Sequence, residues 1–282
     1  MITPTICLLC NPTYENEKSL KITATISTHL KKLSVSHTIF SVTWPDAIND
    51  FSQIWIIGGD GTLNCFISQY PDNQIPVSIF PGGSGNDFHW MLYGEMIVAE
   101  QIEKLLNGSV YLVDGGICNG KLFINGVGIG FDGAIVHDLI GKKKLAGKAS
   151  YLLSILKHIV RYTEKKCTLH FPDEVIQEDC FMISIANAKR YGGGFHVAPR
   201  ASITDGMLDI SIIGSISPLQ RIRYLPVIEK GAHLQLPFVQ YRQEKRIIIE
   251  SPVKLHAHLD GEYIISDRFE IDCLPKRFPF IW

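Results

Sequence analysis

Over the stretch from Ile6 to about Leu112, apolar positions follow two alternating rhythms. Short apolar runs at Ile6–Cys10, His37–Val42, Ile54–Ile57 and Pro76–Phe80 predict strands. Between them, Lys18–Leu33, Asn64–Tyr70 and Ala99–Asn107 predict helices. Strands alternating with helices imply a mostly parallel sheet with helices on its faces. The unbroken run Ile54–Ile57 implies a strand buried on both sides. Beyond about Val113 the texture changes to short β-rich segments at Lys121–Val127, Thr168–Phe171, Cys180–Asn187, Met207–Ile213, Arg246–Glu250, Lys254–Leu259 and Phe269–Cys273. These predict an antiparallel β-rich second domain. One helix interrupts it over Ala149–Thr163, with Leu152, Leu153, Leu156, Ile159 and Val160 on one face. The expected division is 1–113 and 114–273, with a tail of about 274–282 that can pack back on the first domain.

At 282 residues the chain can bury a full core. A formal net charge of -1 argues against nucleic acid as the main partner, because counterion release needs a dense basic surface. No run approaches the roughly 20 apolar residues that cross a bilayer. Met1–Pro12 lacks the basic start and small-residue cleavage site of a signal peptide. Seven scattered cysteines, with Cys7-x-x-Cys10 the only close pair and no second pair near it, read as buried reduced thiols of a cytoplasmic protein.

Against this background the chemistry collects at glycine-rich turns. Gly58-Gly59-Asp60-Gly61-Thr62-Leu63-Asn64 follows the buried strand, so backbone N–H groups there can approach phosphate oxygens while Asp60 holds a metal ion. Pro81-Gly82-Gly83-Ser84-Gly85-Asn86-Asp87-Phe88 supplies a second such loop at a neighbouring strand end, where ligands of parallel sheets bind. Asn125–Gly133 has the wrong glycine spacing for a dinucleotide fingerprint and reads as a close-packed backbone crossing. Asp205-Gly206, after the triple glycine Gly192–Gly194, is a turn whose carboxylate could join backbone carbonyls around a hard cation, or could simply cap the turn. His256-Ala257-His258-Leu259-Asp260-Gly261-Glu262 ends a strand with two carboxylates, one of which could take a proton from a hydroxyl nucleophile. The two histidines lack a third ligand at useful spacing and read as core or solvated residues.

Taken together and in this order, these segments resemble the diacylglycerol kinase catalytic family, in particular small bacterial lipid kinases related to sphingosine kinases. The resemblance covers nearly the whole chain. It implies an α/β fold, with an N-terminal Rossmann-like NAD-kinase/diacylglycerol-kinase domain and a C-terminal antiparallel β-sandwich domain, the nucleotide lying between them. It implies ATP-dependent phosphorylation of a lipid hydroxyl. Asn11, Pro12, Thr13, Thr43, Gly58 to Asn64 and Ser84 become nucleotide contacts, and Asp60, Asp87 and Asp114 a carboxylate network around catalytic Mg2+. Glu262 becomes the proton acceptor with Asp260 in support, and Asp205, with main-chain oxygens of Ser202 and Met207, a structural cation site. The implied setting is cytoplasmic, peripheral at the inner membrane face. The basic residues Lys142–Lys144, Lys148, Arg161 and Lys165-Lys166 could approach anionic lipid, whereas the amphipathic stretch among them favours packing its apolar face into the domain core; both hold if only the basic end touches lipid. Oligomeric state, a homodimer included, stays open. Two alternatives accompany this reading. NAD kinases share the Gly-Gly-Asp-Gly turn, and Tyr14, Glu15 and Cys65 depart from the family pattern, as in a catalytically inactive lipid- or nucleotide-binding homologue.

Overall fold

The computed structural model describes residues 5–11, 17–140 and 148–282, and for residues 148–154 the backbone only. The chain forms two compact units, Met1–Val113 with Lys276–Trp282, and Asp114–Pro275.

The first unit runs β1 (Ile6–Cys10), α1 (Glu17–Lys32), β2 (His37–Phe40), β3 (Gln53–Gly58), α2 (Asp60–Gln69), β4 (Val77–Pro81), α3 (Asp87–Tyr93), α4 (Val98–Asn107) and the start of β5 (Val110–Cys118). Its strands pair in parallel in the order β2, β1, β3, β4. Every residue of β1 is buried, as is β3 beyond Gln53, because helices take both faces of a parallel sheet. Each fully buried Leu or Ile there contributes about 1.5–3 kcal/mol. Helix α1 buries Ser19, Thr23, Ile26, Ser27 and Leu30, the stripe that its period dictates. The chain's last residues return to this unit: Phe280 pairs in parallel with Val77 and packs its ring 5.2 Å from Phe88.

The second unit continues through β6 (Lys121–Phe123), β7 (Gly126–Gly130), α5 (Phe131–Leu139), α6 (Lys148–Arg161), β8 (Lys165–His170), β9 (Val175–Ala186), β10 (Leu208–Gly214), α7 (Pro218–Glu229), β11 (Val239–Glu244), β12 (Arg246–Leu259) and β13 (Glu262–Ile281), whose end belongs to the first unit. Its pairing is antiparallel throughout β11, β10, β9, β7, β12 and β13. Strand β8 joins β9 to β12, so β7, β9, β8 and β12 pair in a closed circuit. Val127, Ile129, Leu169, Ile183, Ile249 and Phe269 are among the apolar residues of the core that these strands share. A second cluster, with Phe131, Ile135, Ile155, Ile159, Phe181 and Met182, joins α5 and α6 to β9.

Several elements differ from the sequence-based expectation. Helix α2 begins at Asp60 rather than Asn64, because Gly59 is extended (φ -106, ψ -168) and accepts the Thr62 and Leu63 amides, so the glycine turn is itself the first helical turn. Helices α3, α5 and α7 and strands β5 and β11 were not anticipated. The expected segments Arg246–Glu250 and Lys254–Leu259 are one strand with a register shift between Glu250 and Leu255, where Pro252 cannot donate to the ladder. Lys121–Val127 is instead broken between β6 and β7.

Candidate active site

In the first unit the parallel strands deliver their carboxyl ends to one edge, with Asn11 after β1, Thr43 beyond β2, Gly59 after β3 and Gly82 after β4. The two glycine loops then meet backbone to backbone. A Cβ on Gly83 would lie 2.4 Å from the Gly59 Cα, and one on Gly82 would lie 3.0 Å from the Gly58 Cα. Side chains at either position would push the loops apart. Gly61 differs, since a Cβ there meets nothing within 4 Å. Open space beside the first turn of a helix, where amides point outward and the dipole is positive, suits a phosphate group.

Polar side chains lock this cradle. Asn86, in the left-handed region at φ 56, accepts the Gly83 amide on Oδ1 at 2.7 Å and donates to the Gly83 carbonyl at 2.9 Å. The Ser19 hydroxyl donates to the Gly82 carbonyl at 3.3 Å, and Lys18 Nζ to the Gly83 carbonyl at 3.2 Å. Lys18 is a cation at the cradle that sequence reasoning missed, since nothing but its place at the start of α1 marks it. Asp60 accepts the Asp87 amide on Oδ2 at 3.0 Å and the Phe88 amide on Oδ1 at 2.8 Å, and so caps α3 from outside. The Asp60 carboxylate thereby lies on the Asp87 backbone amide. One or two carboxylates completed by substrate phosphates are what magnesium ordinarily takes. Among the described residues no group of three or more His, Cys, Asp or Glu is arranged to hold a metal.

The remaining expected contacts divide. Ser84 and Thr43 are exposed, and Asn11 is half-buried with its amide on the Ile57 carbonyl. Pro12 and Thr13, with Tyr14 and Glu15, lie outside the described residues. Leu63 does not offer its side chain to a ligand: it is fully buried in the core, and its amide is spent on Gly59. Thr62 and Asn64 are likewise buried.

In the second unit, Asp114 is fully buried and accepts the Gly206 amide on Oδ2 at 2.6 Å, holding the Asp205-Gly206 turn. Its carboxylate thus holds this turn. Asp205 is exposed and accepts the Met207 amide at 3.1 Å, a turn-capping bond, with Ser202 and Met207 half-buried on the same turn. The Asp260 carboxylate accepts three amides, from Ile124 at 2.8 Å, Asn125 at 2.8 Å and Gly126 at 3.0 Å, and so clamps the loop before β7. Glu262 stands exposed two residues on, after the left-handed pair Asp260 (φ 48) and Gly261 (φ 91).

Behind that turn His258 is buried, accepts the Gly261 amide on Nδ1 at 3.3 Å, and is held neutral by burial with its pKa lowered to about 4. The glycines of β7 and α5 explain the crowding: a Cβ on Gly128 would meet His258 Nε2 at 2.4 Å and Asp132 Oδ2 at 2.9 Å, and one on Gly133 the His256 carbonyl carbon at 2.2 Å. The Asn125–Gly133 segment is therefore a close-packed crossing in which α5 lies against β12. His256 donates to or accepts from the Tyr263 hydroxyl at 2.8 Å. Nearby, Phe131, Ile135, Ile155, Ile159, Phe181 and Leu225 line a narrow apolar cavity of about 40 Å³, into which Asp132, Tyr191 and Arg221 also face. Sequence reasoning passed over this cavity, because its walls come from α5, α6, α7 and β9.

Comparison with known proteins accords with these features. The diacylglycerol kinase catalytic domain family matches residues 5–118, and the YegS C-terminal NAD kinase beta sandwich-like domain matches residues 125–281. The chain belongs to this family of diacylglycerol kinase-like, YegS-type lipid kinases. A relative from Shewanella frigidimarina (strain NCIMB 400) named "Probable lipid kinase YegS-like" is 28% identical over 84% of this chain and 78% of its own. The diacylglycerol kinase of Bacillus subtilis (strain 168) is 26% identical over 77% of this chain and 73% of its own. A crystal structure of a diacylglycerol kinase from Bacillus anthracis str. Sterne shares the fold with a TM-score of 0.75 at 20% identity, covering 100% of this chain and 98% of that one. The expected α/β fold with a β-rich C-terminal domain is the fold found. No helix among the described residues is long and apolar enough to cross a membrane.

Proposed function

We propose that this chain moves the γ-phosphoryl group of ATP to the hydroxyl of a diacylglycerol-like lipid, working peripherally at a membrane face. The observation that carries the reading is the cradle, two glycine loops in backbone contact with the α2 N-terminus and the open side of Gly61 beside it. Family membership supports the lipid as acceptor, and so does the apolar cavity, whose lining suits an acyl chain better than the polar acceptor of a NAD kinase. ATP supplies the transferable phosphoryl group, and Asp60 and Asp87 would hold magnesium, which would offset the charge on its phosphates. The α2 amides and Lys18 orient the phosphate oxygens. Glu262 takes the proton of the lipid hydroxyl as the new P–O bond forms and the bond from the γ-phosphorus to the bridging oxygen breaks, ADP leaving with that oxygen.

The test uses Glu262, because its exposure separates chemistry from folding. Asp60 is a poorer choice, since its removal also uncaps α3. Glu262→Gln should lower kcat for lipid phosphorylation by about 100-fold or more, with the melting temperature and ATP affinity unchanged. Labelled ATP offered with diacylglycerol vesicles, and separately with NAD, reads the outcome. Full turnover by the variant would remove Glu262 from the chemistry, and label appearing on NAD alone would replace the lipid acceptor.

A further inference from the structure

Among the described residues that line the apolar cavity of the second unit, one carries a carboxylate. Asp132 lies in the first turn of α5, 7% exposed, with its carboxylate on a wall otherwise built from Phe131, Ile135, Phe181 and their neighbours. Among the described residues its side-chain hydrogen-bond donor is Tyr191, whose hydroxyl is 2.7 Å from Oδ2 and 3.0 Å from Ser184 Oγ. The cation of the same cavity is spent elsewhere. Arg221 donates to the carbonyls of Ile159, Tyr162 and Ile216 and to Glu164 at 2.6 Å, and its guanidinium lies 4.6 Å over the Phe181 ring.

The other titratable groups around Asp132 also bring no positive charge. His258 on β12 is neutral, and burial pushes the Tyr162 phenol further up from its ordinary value, so it is uncharged at neutral pH. Burial raises the pKa of Asp132 to about 6, with the Tyr191 hydrogen bond pulling the other way, so above that pH an anion lines an apolar cavity. A buried anion with a single donor is expensive, and a ligand that brings a second donor removes that cost. A diacylglycerol brings only ester acceptors beyond its reacting hydroxyl, and would set acceptor against acceptor.

We propose that the cavity selects lipids carrying a hydrogen-bond donor beside the apolar chain, a hydroxyl or amine additional to the hydroxyl that is phosphorylated, and that the Asp132 carboxylate accepts it. The inference rests on the lipid-kinase reading for the amphiphilic nature of the ligand, and adds the group that distinguishes one lipid from another.

The probes are 1-monooleoylglycerol and propane-1,2-diol 1-monooleate, which share an acyl chain and differ by one hydroxyl. Calorimetric binding to the full chain should favour the glycerol lipid by about 10- to 100-fold at about pH 8, and by less at about pH 4.5, where Asp132 is protonated. Asp132→Leu should bring the ratio near unity while the one-hydroxyl lipid still binds. In Tyr191→Phe the ratio should persist and its pH midpoint should rise, because a bond that lowers the Asp132 pKa is gone. Equal affinities in the wild type, binding of neither lipid, or an unchanged ratio in Asp132→Leu would each overturn the inference. Phosphorylation assayed in parallel separates the two claims: selective binding without phosphoryl transfer counts against the kinase reading alone, and transfer with equal binding counts against this one alone.

Discussion

At the residue scale, aspartate in this chain serves two ends that look alike in sequence. Asp60, Asp114 and Asp260 all sit beside glycines, and all three accept backbone amides. The glycine-carboxylate pattern is legible because both uses need a tight backbone; which use applies depends on amides 27 to 136 positions away in sequence. Asp132 and His258 form a contrasting pair, each buried and each disfavoured in its charged form. For Asp132 the pKa rises from 3.8 to about 6, so its contribution to stability is intact below the lower value and is lost as the pH climbs to the upper one. For His258 it falls from 6.5 to about 4, so its contribution is intact above 6.5 and is lost as the pH drops toward 4. Each swing is worth about 3 kcal/mol, and across the same window they oppose each other. His258→Phe should expose the Asp132 slope. Relative to wild type, the variant should gain stability by about 3 kcal/mol between about pH 6.5 and pH 4, read by urea denaturation. A constant difference across that range would show that the two groups do not titrate as their burial implies.

At the scale of elements, legibility follows how much of an element's identity is local. Strands β1, β3 and β4 are readable within a residue or two, since burial on both faces leaves an unbroken apolar run. Helix α7 lacks that signal: Leu219 is 80% exposed and Ile222 47%, so no apolar stripe marks it. A start signal was present in Ser217-Pro218 with Gln220, which forms a capping box with proline at the first turn. Helix α5 hides in a glycine-rich segment because it must lie against the β12 backbone, where only Gly133 fits. One tie of α7 to its neighbours is not legible at all: beside the packing of Leu225 and Ile228, the buried guanidinium of Arg221 reaches Ile159 and Tyr162 around the end of α6 and Glu164 beyond it. Arg221→Ala should therefore cost roughly 3–5 kcal/mol, because it leaves Glu164, which keeps the Ile216 amide, without its cation and several carbonyls without the guanidinium donor. Double replacement with Glu164→Gln should cost less than the sum of the single changes. Additive losses in chemical denaturation would mean that the pair is not coupled.

At the scale of the whole molecule, a formal net charge of -1 gives no overall attraction to an anionic bilayer, so any attachment must come from a local patch. The outer face of α6 is such a patch. Leu156 and Val160, one turn apart, are 48% and 58% exposed, and Arg161 and Lys166 are exposed beside and beyond them. Lys157 adds less, since its ammonium is paired with Asp138 at 2.6 Å. The basic cluster Lys142–Lys144 lies outside the described residues, and so does the side chain of Lys148. Each free cation near an anionic surface is worth about 1 kcal/mol, and the apolar pair adds its own burial in the interface. The full chain should therefore bind vesicles rich in phosphatidylglycerol more tightly than neutral ones, and should lose most of that preference as salt is raised. Leu156→Glu with Val160→Glu should weaken vesicle binding by about tenfold or more at any salt, while leaving phosphorylation of a short-chain, water-soluble acceptor unchanged. Arg161→Ala should weaken binding by a few-fold, and only at low salt. Co-sedimentation separates these outcomes. Equal binding to neutral and anionic vesicles, or an unaffected double variant, would show that this face of α6 makes no membrane contact.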